Sequence, residues 1–271
     1  MKEDFAKEYK KSTFSPAFIF LSPSQKKAMK AIYAFARAAD DIADNPNENK
    51  KEEKLDALRQ KIKACYDGEP EPGLFSDIKE AALKYDIPQG EFQAIIDGVS
   101  MDLSGFSCED FEQLKTYMDK VAVAPGILTL RICGLGEKPQ YLAENLGYAV
   151  QLTNIIRDFY QDAKNNRFYI PNGEMEKFEI SKEKIFDDSS RKKIDSLLIF
   201  QADRAEFFYS KAKEVLKKGY KGSFMPSVIY CLYFLLLKKM RAGNFDIINK
   251  VPKLNRLEKT EALVRSVFKA L

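Results

Sequence analysis

The fold is decided by two stretches, YAFARAADDIAD at residues 33–44 and QLTNIIRDFYQD at residues 151–162, called here the first and second acidic stretches. Each has two aspartates at positions i and i+4 within an apolar pattern of helical period. Because a helix turns by about 100° per residue, positions 4, 7 and 11 residues apart point in similar directions. Each stretch therefore predicts a helix with one acidic side, an arc roughly 60° wide in the first and roughly 80° wide in the second.

The acidic sides of the two helices combine carboxylates with other polar groups. Their members are Tyr33, Arg37, Asp40 and Asp44 on the first helix and Gln151, Asn154, Asp158 and Asp162 on the second. The remaining faces are apolar and can pack; their members are Ile32, Phe35, Ala36, Ala39 and Ala43 on the first and Leu152, Ile155, Ile156 and Phe159 on the second.

Two acidic arcs that face each other would form a site for Mg²⁺. This ion prefers oxygen ligands and is usually held by one or two carboxylates together with substrate phosphates. The alternative is that each arc is a solvated helix face, because runs of charge are usually exposed. The pattern occurs twice, each time with an arginine within one turn of the first aspartate, and this recurrence favours a metal site.

Composition excludes several classes of function. The 271 residues include 45% hydrophobic residues, enough for a sizeable core, and the net charge of +4 is too small to indicate nucleic-acid binding. Histidine is absent, which excludes Ser-His-Asp and Cys-His catalysis and zinc held by histidine. Cys65, Cys108, Cys133 and Cys231 form no CxxC motif and are expected to be reduced core thiols of a cytosolic protein.

Neither a signal peptide nor a membrane span is expected. The first residues, MKEDFAKEYKK, contain no apolar segment of the kind that signal peptides carry. The longest apolar run, residues 224–237, is shorter than the roughly 20 residues that cross a bilayer and predicts a buried helix. We expect a cytoplasmic protein, and leave open a peripheral membrane contact that would serve product release.

The rest of the chain predicts a single all-α domain, residues 1–271, of about eight to ten helices. Ser22, Pro23 and Gln25 form a helix start, with serine as N-cap, proline in the first turn and glutamine at the third position. Pro125 and Gly126 predict a kink or close packing within residues 111–134. The predicted helices cover residues 22–44, 52–66, 76–86, 89–104, 111–134, 139–163, 190–218, 225–242 and 256–270.

The residues favour a substrate with a diphosphate group and an apolar chain. Glycine-rich phosphate-binding motifs, G-x-G-x-x-G and G-x-x-x-x-G-K-[ST], are absent, so metal and basic side chains would hold phosphates. Arg37, Arg157 and Arg167 are candidates for this contact. Aromatic faces, such as those of Phe14, Tyr33 and Tyr117, could stabilise a carbocation, although each is more often simply a core residue.

Over residues 12–245 the chain resembles the squalene/phytoene synthases, which join prenyl diphosphates head to head. The resemblance is carried by the two acidic stretches and by shorter motifs: Ser12-Thr-Phe14, Tyr117 with Val121-Ala122 and Gly126, and Arg167-Phe-Tyr169-Ile-Pro171. It implies the all-α isoprenoid synthase fold, in which helices surround a central apolar cavity. It also implies a Mg²⁺-dependent reaction, with two or three ions, in which one diphosphate is ionised to an allylic cation that alkylates the second molecule.

The resemblance also assigns roles to particular residues. It implies that Asp40, Asp44, Asp158 and Asp162 bind Mg²⁺ and, with Tyr33 and Tyr117, form the catalytic set, while Asn154 makes a further contact to metal or diphosphate. It implies diphosphate contacts for Arg37, Arg157, Arg167 and Tyr169. Phe14, Val121 and Gln151 are then expected, with Tyr33 and Tyr117, to line the substrate cavity.

Within the family, residues 117–134 look most like bacterial presqualene diphosphate synthases, which use farnesyl diphosphate and do not need NADPH. Phytoene or dehydrosqualene synthase is the near alternative, and a non-catalytic relative resembling assembly factors is the alternative of a different class. A head-to-tail prenyltransferase or terpene cyclase would carry a different second stretch. Three departures from the family pattern are Gln161 for glutamate, Pro125 before Gly126, and Ser22 for proline. Substrate length and oligomeric state are left open by the sequence.

Overall fold

Helices form nearly all of the regular structure in the computed structural model, which describes residues 20–45, 47–103, 105–135, 139–248 and 251–267. Within these ranges there is no strand, which confirms the all-α class. The helices are α1 (Pro23–Asp44), α2 (Lys51–Asp67), α3 (Leu74–Tyr85), α4 (Gln89–Leu103), α5 (Phe111–Met118), α6 (Ala124–Cys133), α7 (Pro139–Lys164), α8 (Asn172–Lys177), α9 (Arg191–Leu216), α10 (Phe224–Ala242) and α11 (Arg256–Val267).

Helix α1 begins as the sequence predicts. The Gln25 amide donates to the Ser22 hydroxyl at 3.3 Å, and the Ser22 amide donates to the Gln25 side chain at 3.0 Å, a reciprocal capping box. Ile32, Phe35 and Ala39 are buried on the packing side. Helix α1 ends at Asp44, so its aspartates stand at the negative end of the helix dipole, a local conflict that is typical of functional sites.

A five-residue π-helical turn, Asp119–Val123, joins α5 to α6. The Ala124 amide donates to the Asp119 carbonyl, five residues back, and Pro125 follows in the first turn of α6. Neighbouring helices leave no spare room around this turn: a Cβ on Gly98 would lie 2.7 Å from Val121 Cγ1. The predicted irregularity near Pro125 is therefore a π-helical turn that packs closely against α4.

The two acidic stretches lie on different helices that share neighbours. Helix α7, which carries the second stretch, packs against α9 on one side and against α6 and the π-helical turn on the other. Helix α1, which carries the first stretch, packs against α3, α4 and α6. Among the described helices, none has the length and apolarity that a membrane crossing requires. The fold thus places α6 and the π-helical turn between the two acidic helices.

Candidate active site

An apolar cavity of about 330 Å³ lies between α1, α6, α7, α10 and the π-helical turn. Four of the predicted site residues line it: Tyr33, Val121, Gln151 and Asn154. The other lining residues are mostly apolar and include Met29, Ile32, Ala36, Ala122, Pro125, Gly126, Leu130, Ala143, Leu146, Val150, Met225 and Ile229. The central apolar cavity that the family resemblance implies is therefore present.

The cavity runs along the axis of α7 towards the acidic stretch. Its lining residues on that helix extend from Ala143 to Asn154, which at about 1.5 Å per residue is a length of about 16 Å. Asp158 and Asp162 follow one and two turns beyond Asn154. The acidic residues thus stand at one end of the cavity, and Ala143, Leu130 and Met225 lie towards the other.

The two acidic stretches meet through residues 165–171, called here the bridging loop. The loop begins where α7 ends, and the Arg167 amide donates to the Asp162 carbonyl at 2.9 Å. The Arg167 guanidinium group then reaches across to α1, where Nη2 donates to Asp44 Oδ1 at 2.8 Å. One residue therefore contacts both stretches, which are 118 positions apart when Asp44 and Asp162 are compared.

Each predicted diphosphate-binding arginine is ion-paired with an aspartate. Arg37 Nη2 lies 2.8 Å from Asp41 Oδ1, and Arg167 pairs with Asp44. Arg157 binds the carboxylate of Asp158 through two bonds, one of them from Nε to Oδ1 at 2.9 Å. In this structure, therefore, each of the three arginines is neutralised by a neighbouring carboxylate of the site.

Desolvation raises the pKa of two carboxyl groups of the site. Desolvation raises the pKa of Asp40 to about 6, against the partial opposition of Arg37. Desolvation, together with the charge of Asp158, raises the pKa of Asp162 to about 7. A cation placed between the two stretches would favour the ionised form of both groups.

Asp102, at the end of α4, is a site residue that the sequence analysis does not single out. Its Oδ1 accepts a hydrogen bond from the Tyr169 hydroxyl at 3.0 Å, and its Oδ2 accepts one from the Tyr117 hydroxyl at 3.1 Å. Desolvation raises the pKa of Asp102, and these two bonds oppose that shift. Tyr117 and Tyr169 thus lie beside the first acidic stretch, joined by a shared carboxylate.

The two tyrosines form an aromatic cluster with Phe106. The Tyr117 and Tyr169 rings are stacked with centroids 5.2 Å apart, and Phe106 stacks on Tyr117 at 4.4 Å. Tyr117, which was expected to line the substrate cavity, is buried in this cluster and is not among the cavity-lining residues. Phe14 lies outside the described residues.

The polar groups of the site fit Mg²⁺ as ligands. The buried Asn154 Oδ1 has no hydrogen-bond partner among the described residues, although its amide nitrogen lies 3.4 Å from Gln151 Oε1. An amide oxygen and aspartate oxygens are the donor types that this ion prefers. Within the described ranges no three acidic or cysteine side chains converge closely enough to hold a metal by themselves.

Comparison with known sequences finds one family. A sequence model of the squalene/phytoene synthase family matches residues 8–258. The chain is 36% identical over 263 residues to a presqualene diphosphate synthase of Zymomonas mobilis, covering 94% of this chain and 89% of that protein. It is 32% identical over 259 residues to a presqualene diphosphate synthase of Rhodopseudomonas palustris, covering 94% and 92%. It is 28% identical over 273 residues to a chloroplastic phytoene synthase of Daucus carota, covering 97% and 68%.

Solved structures share the fold. A dehydrosqualene synthase in complex with a ligand superposes with a TM-score of 0.86 at 23% identity, covering 100% of this chain and 98% of that one. A squalene synthase from Alicyclobacillus acidocaldarius superposes with a TM-score of 0.81 at 19% identity, covering 90% and 94%. At these identities the likeness shows a common architecture.

Proposed function

The chain belongs to the squalene/phytoene synthase family, and on this premise we propose that it condenses two farnesyl diphosphates head to head into presqualene diphosphate. It is a prenyltransferase that acts on prenyl diphosphates. One observation supports the assignment of the site: Arg167 bridges the two acidic stretches at one end of an apolar cavity. We take residues 1–271 as one catalytic domain.

Mg²⁺ would be held by Asp40 and Asp44 of α1 and by Asp158, Asp162 and Asn154 of α7. When bound, the ions neutralise the charge of the diphosphate and make it a better leaving group. Two or three ions are expected from the resemblance to the family. The residues do not form a closed cage, which suits an ion that shares its coordination with substrate phosphates.

The arginines of this chain would bind and orient the diphosphate. A guanidinium group can hold two phosphate oxygens at once, which fixes direction as well as charge. Arg37 and Arg167 each have side chains that are a third exposed, and so are accessible from the acidic end of the cavity. Arg157, on α7 beside Asp158, would contact the same group. Tyr169 would lie near the diphosphate through its place on the bridging loop.

The cavity would receive the apolar chains and exclude water from the cation. Its walls are mostly apolar along α6, α7 and α10, so a prenyl chain lying there would lose contact with water. The ring of Tyr33, at the polar end, can stabilise positive charge through its electron-rich face. Val121 and Gln151 would bound the space around the reacting carbons.

The choice of farnesyl diphosphate is supported by the two presqualene diphosphate synthases among the relatives, which are more similar to this chain than the phytoene synthase of Daucus carota is. Phytoene or dehydrosqualene synthesis is the second candidate, since phytoene synthases match nearly as much of the chain. A role without catalysis would not account for two acidic stretches that are joined by Arg167 beside an apolar cavity. Because the product is an amphiphile with long apolar chains, we propose a cytoplasmic enzyme that releases it at a membrane surface.

Product analysis tests this proposal. Purified protein is incubated with Mg²⁺ and either farnesyl or geranylgeranyl diphosphate, with and without NADPH, and released pyrophosphate and extracted products are measured. We expect presqualene diphosphate from farnesyl diphosphate, and the same product with NADPH. A protein that releases pyrophosphate from neither substrate is not the enzyme proposed, and one that makes phytoene from geranylgeranyl diphosphate is the second candidate.

A pair of variants tests the site. Asp158→Asn should lower turnover by several orders of magnitude while the helical circular dichroism is retained, because a metal ligand is lost. Asp203→Asn is the matched control, since Asp203 is an exposed residue of α9 that pairs with Arg241 of α10 and is not among the predicted site residues. Wild-type turnover in Asp158→Asn would remove Asp158 from the mechanism.

A further inference from the structure

The bridging loop is held over the acidic end of the cavity by two side-chain contacts from different helices. Arg167 contacts Asp44 of α1, and Tyr169 contacts Asp102 of α4. The backbone bonds of the loop's first residues reach only back to α7: Asn166 donates to Ala163, and Arg167 donates to Asp162. The far end of the loop is held by the Cys108 thiol, which donates to the Tyr169 carbonyl at 3.6 Å, and by the buried side chain of Ile170. The contacts of Arg167 and Tyr169 are the ones that tie the loop to α1 and α4.

Ligand binding would break the Arg167–Asp44 contact but leave the Tyr169–Asp102 contact in place. Arg167 and Asp44 are 33% and 58% exposed, and ion pairs at such exposure are weak. Under the proposed function, Arg167 turns to the diphosphate and Asp44 turns to the metal, so this pair is given up during binding. The bond from Tyr169 to Asp102 joins a hydroxyl to a half-buried carboxylate, and charge-assisted bonds of this kind are the stronger class.

The other oxygen of Asp102 is fixed as well. Tyr117 donates to Oδ2, and its buried ring stacks on both Phe106 and Tyr169, whose centroids are themselves 5.7 Å apart. With both oxygens engaged, the carboxylate cannot rotate without losing a hydrogen bond, and leaving either hydroxyl unpaired in this setting is costly. Tyr117 thus orients Asp102, and Asp102 orients Tyr169.

We propose that Asp102 is a positioning residue for the condensation: through Tyr117 and Tyr169 it holds the bridging loop, and with it Arg167, across the gap between the acidic stretches when substrate has displaced the pair with Asp44. This role rests on the proposed function. The positioning role does not require Asp102 to contact substrate or metal. The chain of contacts runs from α5 through α4 to the loop, whose Arg167 amide donates to the Asp162 carbonyl at the end of α7.

The test combines hydrogen exchange and kinetics on the full-length protein. In Asp102→Asn, which keeps the size of the side chain, amides of residues 165–170 should exchange faster in the protein without substrate or Mg²⁺, while those of α9 do not change. The kcat/KM for farnesyl diphosphate should fall by about 10-fold to 100-fold, the effect of weakening one charge-assisted hydrogen bond that orients the site. Tyr169→Phe should do the same.

A double-mutant cycle separates positioning from general structure. If Asp102 acts through Tyr169, the variant carrying both Asp102→Asn and Tyr169→Phe should be no slower than the slower single variant, because the same contact is lost. Asp97→Asn, on the same helix, and Tyr66→Phe, whose hydroxyl donates to the Ile87 carbonyl, are the controls and should behave as wild type.

Several results would overturn the proposal. These are unchanged loop exchange in both single variants, faster exchange without loss of kcat/KM, or penalties of the two substitutions that multiply in the double variant. Should Asp102→Asn fail to fold, Tyr169→Phe, which removes one oxygen atom, decides the question alone. If the wild-type protein turns over no prenyl diphosphate, the proposed function fails, and the exchange data still report whether Asp102 anchors the loop.

Discussion

Replacement of Gly98 by alanine should destabilise the protein by overfilling the space between α4 and the π-helical turn. A Cβ at this buried position would lie 2.7 Å from Val121 Cγ1 and 2.9 Å from Lys120 Cβ. Carbon atoms pack best at about 3.5–4.0 Å, so the turn would have to move by about 1 Å. Such overpacking costs about 1–3 kcal/mol, and the higher helix propensity of alanine returns at most about 1 kcal/mol.

Gly90→Ala is the matched control for this substitution. Gly90 is on the same helix, is exposed, and a Cβ there would meet no atom within 4 Å. It should be neutral or slightly stabilising, because only the propensity term applies. Thermal unfolding, followed by circular dichroism, should therefore separate the two variants by about 2–12 °C, given about 2–4 °C per kcal/mol for a chain of this size.

Gly98→Ala should also change catalysis, because Val121 lines the cavity. We expect a lower kcat/KM for farnesyl diphosphate at temperatures where the variant is fully folded, with Gly90→Ala unchanged. A Gly98→Ala protein that unfolds at the temperature of Gly90→Ala, or above it, would show that the turn yields without cost and that its close packing is not a constraint.

Three further predictions concern charge and capping. Because the pKa values of Asp40 and Asp162 are raised in the folded protein above the ordinary range near pH 4, the free energy of unfolding of the metal-free protein should fall as pH rises from about 4 to about 7. Mg²⁺ with pyrophosphate should remove this dependence in pH-series melts; a flat metal-free profile would contradict the shifts. Arg167→Gln should lower the free energy of unfolding by less than about 1 kcal/mol, because its ion pair with Asp44 is exposed. It should lower kcat/KM by more than about 10-fold, because a contact to the diphosphate is lost. A small effect on kcat/KM as well as on stability would contradict the diphosphate role. Ser22→Ala should lower stability by about 1 kcal/mol in denaturant titrations and leave kcat unchanged, and full stability would show that the capping box contributes nothing.

Features set by neighbours along the chain were predictable from the sequence. The start of α1 follows from Ser22 and Gln25, which are three residues apart and satisfy each other's backbone. The acidic and packing sides of α1 and α7 follow from helical periodicity, and Phe35, Ile155 and Ile156 are buried as predicted. The all-α class follows from the same periodicity.

Features set by contacts distant in sequence were not predictable in the same way. Pro125 signals an irregular helix, but the form of that irregularity depends on how α4 packs against it. From the sequence alone, Asp102 is only the polar end of a helix, because its hydrogen-bond partners Tyr117 and Tyr169 are 15 and 67 positions away. No helix is predicted between residues 164 and 190, whereas α8 (Asn172–Lys177) lies there, too short to show a period. The roles of the site residues stay predictions.

The pairing of the three arginines with aspartates makes ligand capture an exchange of partners. Under the proposed function, a diphosphate that binds Arg167 or Arg157 would displace Asp44 or Asp158, and the displaced carboxylate would be stabilised by a divalent cation. The cation would thus free an arginine for the diphosphate, and the diphosphate would free an aspartate for the cation. Thermodynamic reciprocity requires each ligand to raise the affinity for the other by the same factor. In the absence of ligands the charges of the proposed site would neutralise one another, and the metal ion and the diphosphate would each bind tightly only when the other is present.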